Sequence, residues 1–212
     1  GGHVEAAHQL VGLGERSVAE GELAVAFAQC RRARRRVQRT GGDQGAHEGQ
    51  YDGRGLIGLP VEELQNLIRE VPKPVIARVN GFAIGGGHVL HVVCDLSIAS
   101  EKAVFGQVGP KVGSVDPGYG TAYLSRLIGE KRAREIWYLC RKYSAQQALD
   151  WGLVNAVVPH EQLDEEVQKW CEEILEKSPT ALSIAKRSFN ADSANIGGIG
   201  GLGMQALSLY YD

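Results

Sequence analysis

The chain has 212 residues, 43% of them hydrophobic and 23% charged, with a formal net charge of −2. That is enough apolar material for the core of one domain, or of one large domain plus a tail, and it excludes a disordered chain. Nothing in so small a charge calls for nucleic acid or an anionic membrane as partner.

Residues 1–39 use a restricted alphabet, without Asp, Lys, Ile, Asn, Tyr, Trp, Met, Pro or Thr, and end in "RRARRRVQR". An arginine run of this kind reads as a nucleic-acid or targeting arm or as a solvated, partly helical tail. From Thr40 onward the usage is ordinary. The stretch "LPVEELQNLIREVPKP" carries Leu59, Val61, Leu64, Leu67 and Ile68 at helical spacing, and Pro72 and Pro74 stop the helix. Next come two short β-branched runs, "PVIARVNG" and "VVCDLSIAS", predicted as strands. Between them "FAIGGGHVLHVV" starts as a glycine turn and continues as an apolar helix.

The twenty residues "FGQVGPKVGSVDPGYGTAYL", 105–124, hold five glycines and two prolines around Ser114 and Asp116. They read as a loop with a fixed backbone. Further on, "EKRAREIWYLC" is amphipathic, and "SAQQALDWG" has Ser144 as N-cap, Gln147 completing a capping box and Gly152 as stop. "LVNAVVP" is another strand, and the remainder is a run of helices with a glycine-rich interruption. The order is mixed α/β first and α-helical at the end.

The four cysteines, Cys30, Cys94, Cys140 and Cys171, form no CxxC pair, so neither a zinc site nor a disulfide framework is indicated, and a reducing, cytoplasmic setting fits. The most apolar region is interrupted by Arg78, Asn80, His88, His91 and Asp95, which leaves no run of about 18 apolar residues to span a bilayer. Residues 1–25 lack a basic start followed by an apolar block, so no signal peptide is expected. His88 and His91 stand three apart, but no Cys, Asp or Glu completes a metal set, and both are expected in the core.

Three candidate sites remain. "GGIGGLG" contains GxGxxG through Gly198, Gly200 and Gly203, but it follows a helix, so a nucleotide role is not expected. "GFAIGGGHVL" places three glycines between a strand and a helix. They can leave backbone N–H groups bare at the positive end of a helix dipole, where an oxyanion could approach. A tight turn would need one such glycine. "TGGDQ", residues 40–44, is a second glycine pair that could supply another donor. Asp116 stands in an Asp-Pro-Gly turn with Ser114 two residues before it and Tyr119 close by; taken alone, ordinary turn chemistry explains it better than acid–base work does.

Together "TGGDQ", "PKPVIARVNGFAIGGGHVLHVVCDLSIASEKAVFGQVGPKVGSVDPGYG", "GEKRAREIWYLCRKYSAQQALDWGLVNAVVP" and "SPTALSIAKRSFNAD" resemble the crotonase (enoyl-CoA hydratase/isomerase) superfamily over residues 40–212. The resemblance implies an α/β fold, a crotonase-like spiral of ββα repeats over 40–160, followed by an α-helical C-terminal region over 161–212. It implies an acyl-CoA thioester substrate, coenzyme A as part of that substrate with no tightly bound cofactor or metal, and a homotrimer or hexamer. By position the oxyanion hole falls on the N–H groups of Gly42 and Gly86, and substrate contacts on Thr40, Gly85, Gly109 and Tyr119. Hydratases of the superfamily carry two glutamates, at positions that here hold Val89 and Gly109; without acid and base, water is not added to an alkene.

"GGGHVLHVVCDL" and "GPKVGSVDPGYG" resemble a narrower branch, that of 2-ketocyclohexanecarboxyl-CoA hydrolase and 1,4-dihydroxy-2-naphthoyl-CoA synthase. Its catalytic residues transfer onto Ser114, Asp116 and Tyr211 of "LSLYYD". With "SVDPGYG", "AKRSFN" and "LYYD" the chain is closer to the ring-opening hydrolase than to the synthase of menaquinone biosynthesis. Gly109 is expected to leave room for water or bicarbonate. Relatives carry a β-hairpin and helix where residues 1–39 stand, and a one-base shift turns codons for Ala-Phe-Ser into Arg-Val-Gln. Residues 1–39 are therefore expected to be an atypical segment translated out of frame, and the C-terminal region to be truncated. A non-catalytic scaffold of the same fold is the alternative of another class.

Overall fold

Pro72 and Pro74 end one helix and start one strand, and the rest of the fold hangs on that strand. The computed structural model describes residues 23–27, 61–196, 199 and 203. The helix is α1 (Val61–Glu70) and the strand is β2 (Val75–Val79). β2 lies antiparallel to β1 (Leu23–Phe27) and parallel to β4 (Leu96–Ser100), which is parallel to β7 (Ala156–Val158). The sheet order is β1-β2-β4-β7.

Apart from Arg78, β2 is apolar because both of its faces are covered. Val75, Ala77 and Val79 face the main core, with Ala99, Phe105 and Leu124. Ile76 joins Ile98 in a second cluster under Leu163 and Val167. Those two belong to α6 (Leu163–Leu175), which also supplies Asp164 as ion-pair partner to Arg78.

A second sheet of three-residue strands has the order β3-β5-β6: β3 (Phe82–Ile84), β5 (Val104–Gly106) and β6 (Lys142–Ser144). β3 and β5 fall within stretches that the sequence predicts as glycine-rich turns, because three residues are too few to display alternation. "VVCDLSIAS" is also only partly a strand. Helix α2 (Gly86–Val93) runs into it, and β4 starts at Leu96. Cys94 N–H caps the helix on His91 O at 3.2 Å, while the Asp95 carboxylate accepts from Val75 N at 2.7 Å.

Residues 105–124 are less of a loop than expected. Gly109–Val112 form a 3-10 turn, and Gly118–Tyr123 are π-helical and continue into α3 (Leu124–Ile128). The amphipathic stretch is α4 (Glu130–Leu139), and α5 (Ala145–Asp150) carries the expected capping box. Gln147 N donates to Ser144 Oγ at 3.3 Å, and Ser144 N donates back to Gln147 Oε1 at 3.0 Å. Gly152, at φ +71°, stops the helix as expected.

The C-terminal helical region contains α6 and α7 (Pro179–Ala191). α7 buries a lysine. Lys186 Nζ donates to Ile68 O at 2.7 Å, Lys73 O at 2.9 Å and Asp95 Oδ2 at 2.7 Å. All three ammonium protons are thus used, which is what lets a lysine be only 6% exposed. Asn190 Nδ2 adds a bond to Arg69 O. α7 thereby clamps the C-terminal end of α1.

Candidate active site

The glycine turn divides its labour. Gly85 sits at φ +59°, ψ −123°, a backbone only glycine takes readily. Its N–H donates to Gly106 O at 3.1 Å, and its carbonyl accepts from Val89 N at 3.1 Å, which ties β3 to β5 and starts α2. Gly86 and Gly87 need no special φ; among the described residues nothing lies within 4 Å of a Cβ built on either. N–H groups in a helix first turn lack intrahelical partners and lie at the positive end of its dipole. One glycine makes the turn, and the other two carry no side chain over their backbone.

The segment around Asp116 is packed. A Cβ on Gly120 would lie 3.0 Å from Asp116 Cβ, 3.0 Å from Trp137 Cζ2 and 3.0 Å from Val89 Cγ2. Three elements meet there: the Asp116 turn, α4 through Trp137, and α2 through Val89. Trp137 Nε1 donates to Gly120 O and fixes the π-helical segment against α4. The half-buried Asp116 carboxylate accepts from Gly120 N at 3.2 Å on Oδ1 and from Gln65 Nε2 at 3.2 Å on Oδ2. Ser114, also half-buried, donates its N–H to Gly109 O at 2.8 Å.

Two expected site residues, Gly109 and Tyr119, are packed against other parts of the chain. A Cβ on Gly109 would lie 2.5 Å from Ser114 O and 2.8 Å from Trp137 Cζ3. The room for water or bicarbonate expected from the missing side chain is filled by protein, so those residues do not fit such a group there. Tyr119, expected at the substrate, is 5% exposed. Its hydroxyl donates to Asn66 Oδ1 at 3.4 Å, and its ring lies 4.9 Å from the Arg69 guanidinium, which also stacks on Tyr123. Thr40, Gly42 and Tyr211 lie outside the described residues. Gly203 packs against Pro117.

His88 and His91 are in the core, as expected, 0% and 1% exposed. His88 Nδ1 pairs with Gln107 Nε2 at 3.2 Å and His91 Nδ1 with Ser97 Oγ at 3.3 Å; the rings stack edge-on on each other and on Phe105. Burial lowers the His88 pKa to about 4, and burial, then the neighbouring His88, lowers that of His91. Burial also pushes the Cys94 thiol up to about 12. None of these is poised for proton transfer near neutrality. Among the described residues no group of three His, Cys, Asp or Glu could hold a metal ion, and no helix is long and apolar enough to cross a membrane.

Gln65 and Trp137 escaped sequence reading. Gln65 is 5% exposed while Leu67, counted in the apolar stripe, is 45% exposed. The inward face of α1 therefore includes Gln65 and Arg69, which periodicity of apolar residues cannot find.

Two small sheets, a glycine turn at the start of α2 and a helical C-terminal region together define an α/β fold of a recognisable class. The profile of the enoyl-CoA hydratase/isomerase family matches residues 34–199. The chain belongs to that family, and its α/β fold is crotonase-like. An enoyl-CoA hydratase from Mycobacterium avium subsp. paratuberculosis K-10 is 30% identical with a TM-score of 0.65, over 71% of this chain and 62% of that one. An enoyl-CoA hydratase from Bacillus anthracis is 36% identical with a TM-score of 0.59, over 71% and 58%. A monofunctional enoyl-CoA isomerase from M. smegmatis is 30% identical with a TM-score of 0.58, over 64% of each chain. The chain thus spans less than two thirds of each.

Proposed function

We propose that the protein is an acyl-CoA enzyme that opens the ring of a cyclic β-keto thioester, in the manner of 2-ketocyclohexanecarboxyl-CoA hydrolase. One observation carries the reading. The two positions that hold glutamates in hydratases are a buried valine, Val89, and a packed glycine, Gly109, while Asp116 is the carboxylate that meets Val89 across Gly120. Acid–base work moves from the hydratase positions to Asp116.

In this reading Asp116 takes a proton from water, with Ser114 orienting the proton path, and the oxygen adds to the ring ketone. The ring C–C bond then breaks; the ketone carbon becomes a carboxylic acid and the electron pair passes to an enolate of the thioester. Gly86 N–H, with Gly42 N–H, holds the enolate oxygen, an effect worth about 3 to 4 kcal/mol per donor. Tyr211 polarises the ketone or returns a proton to the enolate carbon. Thr40 and Gly85 line the thioester. The working form is a cytoplasmic homotrimer or hexamer that needs no bound cofactor.

Purified protein supplied with 2-ketocyclohexanecarboxyl-CoA and, separately, o-succinylbenzoyl-CoA tests the reading. Ring opening of the first to an open-chain dicarboxylic mono-thioester is expected. Turnover of the second alone would assign the synthase reaction, the same parts run toward ring closure. Turnover of neither would leave a scaffold.

A further inference from the structure

We infer that Gln65, on α1, is a positioning residue that sets the plane of the Asp116 carboxylate. The inference rests on the role proposed for Asp116. Gln65 lies 51 residues before Asp116, is buried, and donates from Nε2 to Oδ2 at 3.2 Å. The backbone N–H of Gly120 donates to Oδ1 at 3.2 Å. Among the described residues each oxygen has one neutral donor, and the two donors come from different elements. A carboxylate has about four lone-pair sites, so this pair of bonds fixes the rotation of the group and leaves sites for water or substrate.

The helix that carries Gln65 is itself held. Leu64 and Ile68 pack in the main core, and Asn66 accepts from Tyr119 OH. Arg69, the cation one turn beyond Gln65, is directed onto Tyr119, Tyr123 and Ser193 Oγ. The group that touches Asp116 from α1 is therefore a neutral amide. A guanidinium in its place would form a charge-assisted pair and hold the carboxylate too tightly to accept a proton. Lys186 and Asn190 fasten the end of α1 to α7, so Gln65 has a rigid mount.

Gln65→Met keeps the length of the side chain and removes the donor. It is expected to lower kcat for ring opening about 10- to 100-fold, as loss of geometry at a reacting group does, with KM within about twofold. In an Asp116→Asn background the same change is expected to alter the residual rate less than about twofold, since the effect runs through Asp116. A Gln65→Met enzyme with kcat within about twofold of the parent, or an equal loss in the Asp116→Asn background, overturns the inference. A second readout needs neither turnover nor a folded Gln65 variant. In the 15N-labelled parent chain, the Gln65 side-chain amide signals are expected to move on Asp116→Asn; signals that stay in place overturn the contact. If they move while the parent turns over no β-keto thioester, the contact stands and the proposed reaction fails.

Discussion

Two groups of glycines that look alike in sequence stand for opposite physics. Among the described residues Gly86 and Gly87 have nothing where side chains would be, whereas Gly109 and Gly120 have Ser114, Asp116, Trp137 and Val89 in contact. The first group exposes backbone N–H groups; the second lets a turn, a π-helical segment and a tryptophan helix press together beneath Asp116. A glycine-rich stretch therefore marks either a surface kept bare or a wall packed to the backbone, and the two respond differently to one added methyl group.

The packed side extends outward to α7, where the largest stability effect is expected. Lys186→Met leaves two carbonyls and the solvent-facing Asp95 carboxylate without their ammonium, and since hydrogen bonds to a charged donor are worth about 1.5 to 3 kcal/mol each, a loss of about 3 to 5 kcal/mol is expected. Urea unfolding measures it; a loss below about 1 kcal/mol would mean that α7 is not fastened through this residue. Gly109→Ala comes next. With the Ser114 carbonyl 2.5 Å from the new methyl group, the backbone must shift, at a cost of about 3 kcal/mol. The open side supplies the contrast: Gly86→Ala is expected to leave stability within about 0.5 kcal/mol yet to lower turnover, because the methyl group shields the N–H offered to the enolate. Equal stability losses in both variants would break the comparison.

The buried histidines give the packed side a pH dependence of comparable size to that of Gly109→Ala, and its sign follows from the lowered pKa. Folded His88 titrates at about 4 against an ordinary 6.5, so the unfolded chain binds the proton first. Its contribution is complete above about pH 6.5 and is lost as pH falls toward 4, on the order of 3 kcal/mol, with His91 acting in the same direction. His88→Gln removes that titration. A parent chain with the same unfolding free energy at pH 4.5 and pH 7 would contradict the account.

Much of the fold was legible because the signals were local. Ser144, Gln147 and Gly152 announce a capped helix within nine residues, and Pro72 and Pro74 mark a boundary that holds. The three-residue strands of the second sheet were not legible, since their pairing is set by residues far apart in the chain. The site was half legible. Asp116 and the glycine turn could be singled out from residue types, but turn chemistry accounted for Asp116 as well, and only the resemblance to a family favoured acid–base work. Gln65 and Arg69 stayed hidden because their burial depends on partners in other elements, Asp116 for one and Tyr119, Tyr123 and Ser193 for the other. At Gly109 the missing side chain predicts empty space, and the Ser114 backbone occupies it.

The most direct test of the central claim is the rate of ring opening of 2-ketocyclohexanecarboxyl-CoA by the parent chain and by Asp116→Asn, measured side by side. Asparagine keeps the size of the side chain and the bond from Gly120 N but cannot take a proton. Loss of a general base is expected to lower kcat about 100- to 10,000-fold, with the fold and thermal midpoint unchanged. An Asp116→Asn enzyme whose rate stays within about threefold of the parent would contradict the assignment of the base to Asp116.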